Sequence, residues 1–367
     1  MRTWDSGFVP PFCPNPECRH HGAPEGWRMQ CFGFFERKAW PHRIRRFRCL
    51  TCRRCFSTQT FDTTYWLKRP DVQAPILRGL VACSGFRQLG RTHGVAGTTV
   101  QRQAERLGRH CLLFQRRHAP PRPHAEPVVL DGLVSFEFSQ YWPCELNLLV
   151  GRSHFLYGFT DSELRRTGRM RPAQKRRRAE LEQRHGRPEP RATEEAVAEL
   201  MRQALPQDAL ELHLYSDEHA AYPRALKRFP HWRIHHHTTS SKAARTPANP
   251  LFPANLADAL VRHSSANHKR ETIAFSKRRQ SAVERLAVFQ VWRNFMKRTS
   301  EARPRDSLSP AQRLGFTDRL LEVGDVLHRR LFPSLVRLTG RLRDYYRRRI
   351  RTRQAPACRP HALLYAF

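Results

Sequence analysis

Four cysteines near the start of the chain have the spacing of a metal site. Cys13-Pro-Asn-Pro-Glu-Cys18 and Cys49-Leu-Thr-Cys52 form two short pairs, and zinc takes four thiolate or imidazole ligands in a tetrahedron. Cys55 offers a competing pair with Cys52, and His20, His21 and Cys31 are spare ligands. Some of these cysteines could instead be buried thiols. Far downstream, Asp131 follows the apolar run Val128–Leu130, and Asp217 follows LHLYS. Carboxylates at the ends of adjacent strands can converge, and two of them with a third from a nearby helix suit Mg²⁺ or Mn²⁺. Two such ions about 4 Å apart activate water and stabilise the leaving oxygen in phosphodiester cleavage. The plainer alternative has Asp217 capping the helix that begins DEHAAYPRAL and Asp131 ending a strand at a turn.

A third stretch suits reading DNA. In SGFRQLGRTHGVAGTTVQRQAERLGRH (84–110), Phe86 and Leu89 share an apolar face, Gly94 marks a turn and Val95 is buried beside it. Thr98, Thr99 and Val100 open a second helix that carries Gln101, Arg102, Gln103 and Arg106. Arginine and glutamine near the start of such a helix reach base edges in the major groove. An ordinary helical hairpin is the alternative, since a glycine turn suits it too.

Residues 1–60 hold six of the ten cysteines and few apolar runs, so a metal is the expected staple. Residues 70–118 read as helical, and PPRPHAEP (119–126) reads as a linker. Within 127–300, VVLDGLVSFEF (128–138), ELNLLVG (145–151) and HFLYGFT (154–160) have strand patterns. An arginine-dense insertion, 165–191, precedes the amphipathic helix ATEEAVAELMRQAL (192–205), for which Thr193 is a cap. LELHLYSD (210–217) is a fourth strand, WRIHHHTT (232–239) a fifth, and residues 255–298 read as helical. Three strands, then helix, strand, helix, strand and helix, is the order of a ribonuclease-H-like α/β domain. Residues 305–354 read as a basic helical extension.

The balance of charge narrows the partner. The 367 residues carry 66 Lys and Arg against 32 Asp and Glu, a formal charge of +34. So many cations, spread along the chain without an amphipathic anchor, point to nucleic acid rather than a membrane surface. No apolar run reaches the 18 or so residues of a membrane span, and MRTWDSGFVPPFC lacks the apolar core of a secretion signal. The chain therefore reads as intracellular, where ten cysteines argue for metal or buried thiols rather than disulfides.

CPNPEC, FRCLTCRRCFS, HGVAGTTVQRQ, VVLDG, YSDEHAAY and RHSSANHKRETIAFSKR (262–278) together resemble bacterial insertion-sequence transposases of the zinc-ribbon, helix-turn-helix, DDE type. The resemblance spans roughly residues 10–300. It implies a ribonuclease-H-like core preceded by a zinc ribbon and a helix-turn-helix. It further implies Mg²⁺-dependent strand cleavage and transfer, double-stranded DNA as terminal repeat and target, and a homo-oligomer that pairs two ends. The setting it implies is the bacterial cytoplasm, at the nucleoid. The family's third acid is a glutamate on a helix past the second aspartate. Here the candidates are Asp258, one helical turn before Arg262, and Glu271, beside Arg270 in a basic run. Asp258 is favoured, with Arg262, Asn267, His268 and Arg270 facing DNA phosphates or the metal site. A catalytically inactive DNA-binding regulator using the same N-terminal modules is the runner-up.

Three other features have plainer readings. His235-His236-His237 with Tyr345-Tyr346 could suggest a nuclease with two histidines flanking an apolar residue, but His236 is not apolar, and a polar strand edge near DNA is simpler. RLRDYYRRRIRTR (341–353) reads as a phosphate-contacting or assembly helix. The insertion 165–191 reads as mobile until DNA orders it.

Overall fold

The computed structural model describes residues 8–121, 126–205, 211–302 and 307–360. It is a mixed α/β structure with two sheets. Strands β1 (Met29–Glu36), β2 (Arg43–Cys49) and β3 (Cys55–Ser57) form a three-stranded antiparallel sheet. Its buried side is aromatic: Phe47 and Phe56 stack at 5.6 Å and Trp27 and Phe56 at 5.9 Å. Phe332, from far along the chain, completes this cluster.

Helices α1 (Gln73–Leu80), α2 (Phe86–Thr92) and α3 (Gly97–His118) follow. Gly94, in the turn between α2 and α3, has φ +61°, which glycine adopts freely. Gly90 is needed for a different reason, because a Cβ there would lie 2.7 Å from the Val95 carbonyl and hold the two helices apart.

Strands β4 (Val128–Phe136), β5 (Pro143–Gly151), β6 (Leu156–Glu163), β7 (Glu211–Ser216) and β8 (Arg233–Thr238) form the second sheet, in the order β6-β5-β4-β7-β8. The pairs β4–β5 and β5–β6 are antiparallel, and β4–β7 and β7–β8 are parallel. The central strand β5 is buried from Cys144 to Gly151 because helices cover both faces of the sheet. On one face Val128, Leu130, Leu149 and Leu214 pack with α5 (Ala192–Ala204) and α6 (Ala221–Leu226). On the other, Val129, Leu133, Leu146 and Leu148 join a core that runs through α1, α3, α7 (Phe252–Ser264) and α8 (Arg279–Val291). The helical segment and the larger sheet therefore share one core. Gly108 of α3 lets α8 approach so closely that a Cβ would meet the Glu284 carbonyl at 2.6 Å.

Several expected elements are corrected. The span 255–298 is not one helical stretch, since residues 265–278 form an irregular loop between α7 and α8. The insertion 165–191 contains α4 (Pro172–His185), held by the buried Leu181 and the Arg165–Glu182 ion pair at 2.8 Å. The extension 305–354 is mostly irregular, with short helices α9 (Pro310–Arg313), α10 (Val323–Val326) and α11 (Gly340–Tyr346). The basic run 341–353 is helical only to Tyr346, within α11, and its arginines divide, with Arg343, Arg347, Arg349 and Arg351 exposed. Arg341, Arg348 and Arg353 turn inward to Asp161, Glu284 and Glu163. The expected linker 119–126 lies partly outside the described residues. No described helix is long and apolar enough to cross a membrane.

Candidate functional site

The parallel pairing of β4 and β7 brings the two aspartates together. Its last rung is Leu130 with Ser216, so Asp131 and Asp217 are the next residues on adjacent strands, where the pair separates. Asp131 is mid-strand rather than at a turn, because β4 runs on to Phe136. Its Oδ1 accepts the Gly132 N–H at 2.8 Å. Asp217 does not cap α6, which begins at Ala221; its Oδ1 accepts the His219 N–H at 3.0 Å.

Asp258 arrives from α7, which lays Ala254, Ala257 and Val261 against the sheet. Burial pushes its carboxyl up to about 7, with the charge of Asp131 adding and Arg262 opposing. Burial likewise pushes Asp131 up to about 6, opposed by the Gly132 N–H and reinforced by Asp217 and Glu145. Asp258 Oδ1 is buried with no hydrogen-bond partner among the described residues. No described ion pair engages Asp131, Asp217 or Asp258. Glu271 is exposed in the loop after α7.

A fourth acid belongs here that sequence reasoning missed. Glu145 is buried on β5 and accepts a hydrogen bond from Thr193 Oγ1 at 3.1 Å. Gly132 makes the space for it, since a Cβ there would lie 2.2 Å from Glu145 Oε1. Burial raises its carboxyl, His219 opposes and the charge of Asp217 adds. The available signal was a lone acid heading an otherwise apolar run. The Tyr222 hydroxyl reports all four groups, because burial raises its pKa and Glu145, Asp131, Asp217 and Asp258 each raise it further. The four acids feel one another's charge without a described ion pair to Asp131, Asp217 or Asp258, and Arg245 and Arg262 offset only part of the burial that raises Asp131 and Asp258.

The loop after α7 is corrected. Asn267 and His268 are buried and face neither solvent nor the acids. Asn267 Nδ2 lies 3.0 Å from His268 Nε2 and 3.0 Å from Ser276 Oγ, which braces the loop. Arg262 donates to the carbonyls of His268 and Val134 at 3.2 and 3.3 Å, next to Asp258, while Arg270 is exposed.

The cysteines converge as a quartet. One sulfur from each of Cys13, Cys18, Cys49 and Cys52 lies within 4.8 Å of the others, with Cys13–Cys52 at 3.6 Å and Cys18–Cys49 at 4.0 Å. Four thiolates about 2.3 Å from a tetrahedral zinc stand about 3.8 Å apart, so this buried cluster could hold a metal such as zinc. The Trp27 indole N–H donates to Cys49 Sγ at 3.3 Å and orients that ligand. The competing ligands are elsewhere: Cys31 and Cys55 are exposed, and His21 is bonded to the Cys13 carbonyl and Ser334.

At the start of α3, Thr98 and Arg102 are exposed and Thr99 is half-buried. Gln101 is half-buried and donates to Glu105 at 2.9 Å. Two expected DNA contacts are corrected. Gln103 is buried in the shared core, and Arg106 turns inward beside Asp62, Tyr65 and Tyr346, where burial lowers it to about 10. Their helix face is covered by α8 and by the chain's C-terminal part. A basic aromatic surface lies elsewhere. Phe32, Phe34 and Phe35 of β1 are exposed, with the Arg43 guanidinium 4.1 Å from the Phe34 ring centre and Arg46 5.1 Å from that of Phe32.

The tyrosines cannot serve as nucleophiles in this structure. Tyr345 is fully buried and donates to Asp161 Oδ1 at 2.6 Å, and Tyr346 is also buried. The chain matches no protein-family model, and no curated protein matches it.

Proposed function

We propose that this protein is a DNA transposase, with a ribonuclease-H-like core that cuts and joins strands. The observation that carries the reading is the set of mutually repelling acids Asp131, Asp217 and Asp258, with Glu145 behind them, none of the first three in a described ion pair, in a chain of charge +34. Carboxylates raised by burial and by one another are costly to fold. A site for Mg²⁺ or Mn²⁺ explains its retention, and the orphaned Asp258 Oδ1 is the donor such a site needs. The strand order β6-β5-β4-β7-β8 supports the same fold.

Asp131, Asp217 and Asp258 would hold the ions, which activate a nucleophile and stabilise a leaving oxygen. Arg262, fixed by two carbonyls, would offset part of the charge on Asp258 without pairing with it. Water attacks the phosphorus at the element end, the bond to the 3′-oxygen breaks, and a free 3′-hydroxyl and a 5′-phosphate result. That 3′-hydroxyl then attacks a target phosphodiester, and one bond forms as another breaks. No covalent protein–DNA intermediate is needed.

Residues 8–57 would act as a zinc ribbon, and α2 with α3 as the DNA-reading helix-turn-helix. Thr98, Thr99, Gln101 and Arg102 would face bases, and Arg270 a phosphate. The Phe32–Phe34 face with Arg43 and Arg46 suits the DNA backbone and unstacked bases. Two copies would pair the two ends. The test is Mg²⁺-dependent cleavage of DNA carrying the sequences that flank the gene. Asp131→Ala and Asp217→Ala should abolish cleavage and keep binding. A protein that binds this DNA but never cuts it would be a regulator instead.

A further inference from the structure

The exposed face of β7 and β8 carries a second cluster with ligand chemistry. Along β7, Leu212, Leu214 and Ser216 are buried, so Glu211, His213 and Tyr215 lie on the opposite face. The parallel register sets His213 beside His235 and Tyr215 beside His237. One ligand atom from each of Glu211, His213 and His235 lies within 4.8 Å of the other two. His235 Nε2 is 2.9 Å from Glu211 Oε1, and His213 Nδ1 is 3.2 Å from His237 Nε2. The His213 ring stacks on His235 at 4.7 Å and on His237 at 5.5 Å.

We propose that Glu211, His213 and His235 bind an imidazole-preferring transition-metal ion such as Ni²⁺, Co²⁺ or Zn²⁺, with His237 ordering His213. Two imidazoles and one carboxylate on one side of an ion leave its other positions open to water or a ligand. The contact with His237 engages His213 Nδ1 and leaves Nε2 to ligate. A partner on the far ring nitrogen fixes tautomer and orientation in this way. The His235–Glu211 contact brings together two groups that an ion would bridge. Ligand atoms around an ion with bonds of about 2.1 Å stand roughly 3 Å apart, and exposed side chains close that distance by rotation alone.

This site is separate from the acid nest. Glu211 and Asp217 mark opposite ends of β7, about 20 Å apart along the strand. The donors differ as well, imidazole here and carboxylate oxygen there, so the two sites select different metals.

The test is a Ni²⁺ titration by calorimetry on the full chain, with zinc already in the cysteine cluster and millimolar Mg²⁺ present. The wild-type protein should bind one equivalent of Ni²⁺ that His213→Ala/His235→Ala does not. Glu211→Gln and His237→Ala keep two ligating imidazoles and should each bind about tenfold more weakly. These side chains are at the surface, so circular dichroism should show the variants folded. An unchanged isotherm in the double variant overturns the proposal. So does loss of DNA affinity in that variant with full Ni²⁺ binding, which would make the cluster a phosphate contact.

Discussion

Asp161, buried, and Asp131, half-buried, stand on the same sheet and keep opposite company. Asp161, on β6, meets Arg279 and Arg341 and accepts the Tyr345 hydroxyl at 2.6 Å. Arg279 also pairs with Glu137 at 2.9 Å and Glu163 at 3.1 Å, and Arg353 pairs with Glu163 at 2.7 Å. Although burial opposes it, these cations hold Asp161 below the ordinary carboxylate range. Burial still keeps Glu137 raised, against Arg279. Asp131 and Asp258 have no such partner and are pushed up to about 6 and 7. One cluster fastens the C-terminal segment to the sheet. The other leaves Asp131 and Asp258 raised, because burial and mutual repulsion outweigh what Arg245 and Arg262 offset.

Removing the shared cation should cost most. Arg279→Met strands Glu137 and takes one of two cations from Asp161 and Glu163, and should lower unfolding free energy by about 3–5 kcal/mol in urea titrations. An equal loss from Asp131→Asn would erase the contrast between the clusters.

Neutralising the unpaired cluster should act with the opposite sign. Asp258 is raised on folding, so the metal-free native state binds protons more tightly than the unfolded chain. Its contribution is intact below pH about 4 and is lost as pH rises towards 7. At pH 8 without divalent ions, Asp258→Asn should therefore stabilise the protein by about 1–3 kcal/mol in thermal melts. At pH 4 it should change little.

The contrast between paired and unpaired groups extends to the arginines. Exposed Arg102 should contribute about 1–2 kcal/mol of DNA affinity, measured as binding lost in Arg102→Ala. Inward-facing Arg106 should contribute stability and no affinity. The smallest effect is expected at Arg43, where replacement by alanine should reduce the salt dependence of binding by about one released counterion.

The sites that sequence reveals are those set by local pattern. An acid closing an apolar strand points to Asp131 and Asp217, and the resemblance to DDE transposases, through the position one turn before Arg262, points to Asp258. Two tight cysteine pairs mark the metal cluster, and the strand periods mark five strands in order. What sequence hides depends on partners brought from a distance. Gln103 and Arg106 have the composition of a DNA-reading face, yet α8 and residues after 305 cover that face. Arg341, Arg348 and Arg353 look like part of a free basic run because their acids stand on β6 and α8. Arg279 carries no local signal at all, and Glu145 only the weak one of an acid heading the apolar run ELNLLVG.

The most direct test of the unpaired cluster is Mn²⁺ binding to the full chain at neutral pH, followed by electron paramagnetic resonance. The wild type and Arg348→Ala should bind Mn²⁺ alike, because Arg348 serves the structural acids Glu105 and Glu284. Asp131→Asn/Asp258→Asn, folded by circular dichroism, should lose that binding. Equal Mn²⁺ binding by the wild type and this double variant would contradict the account.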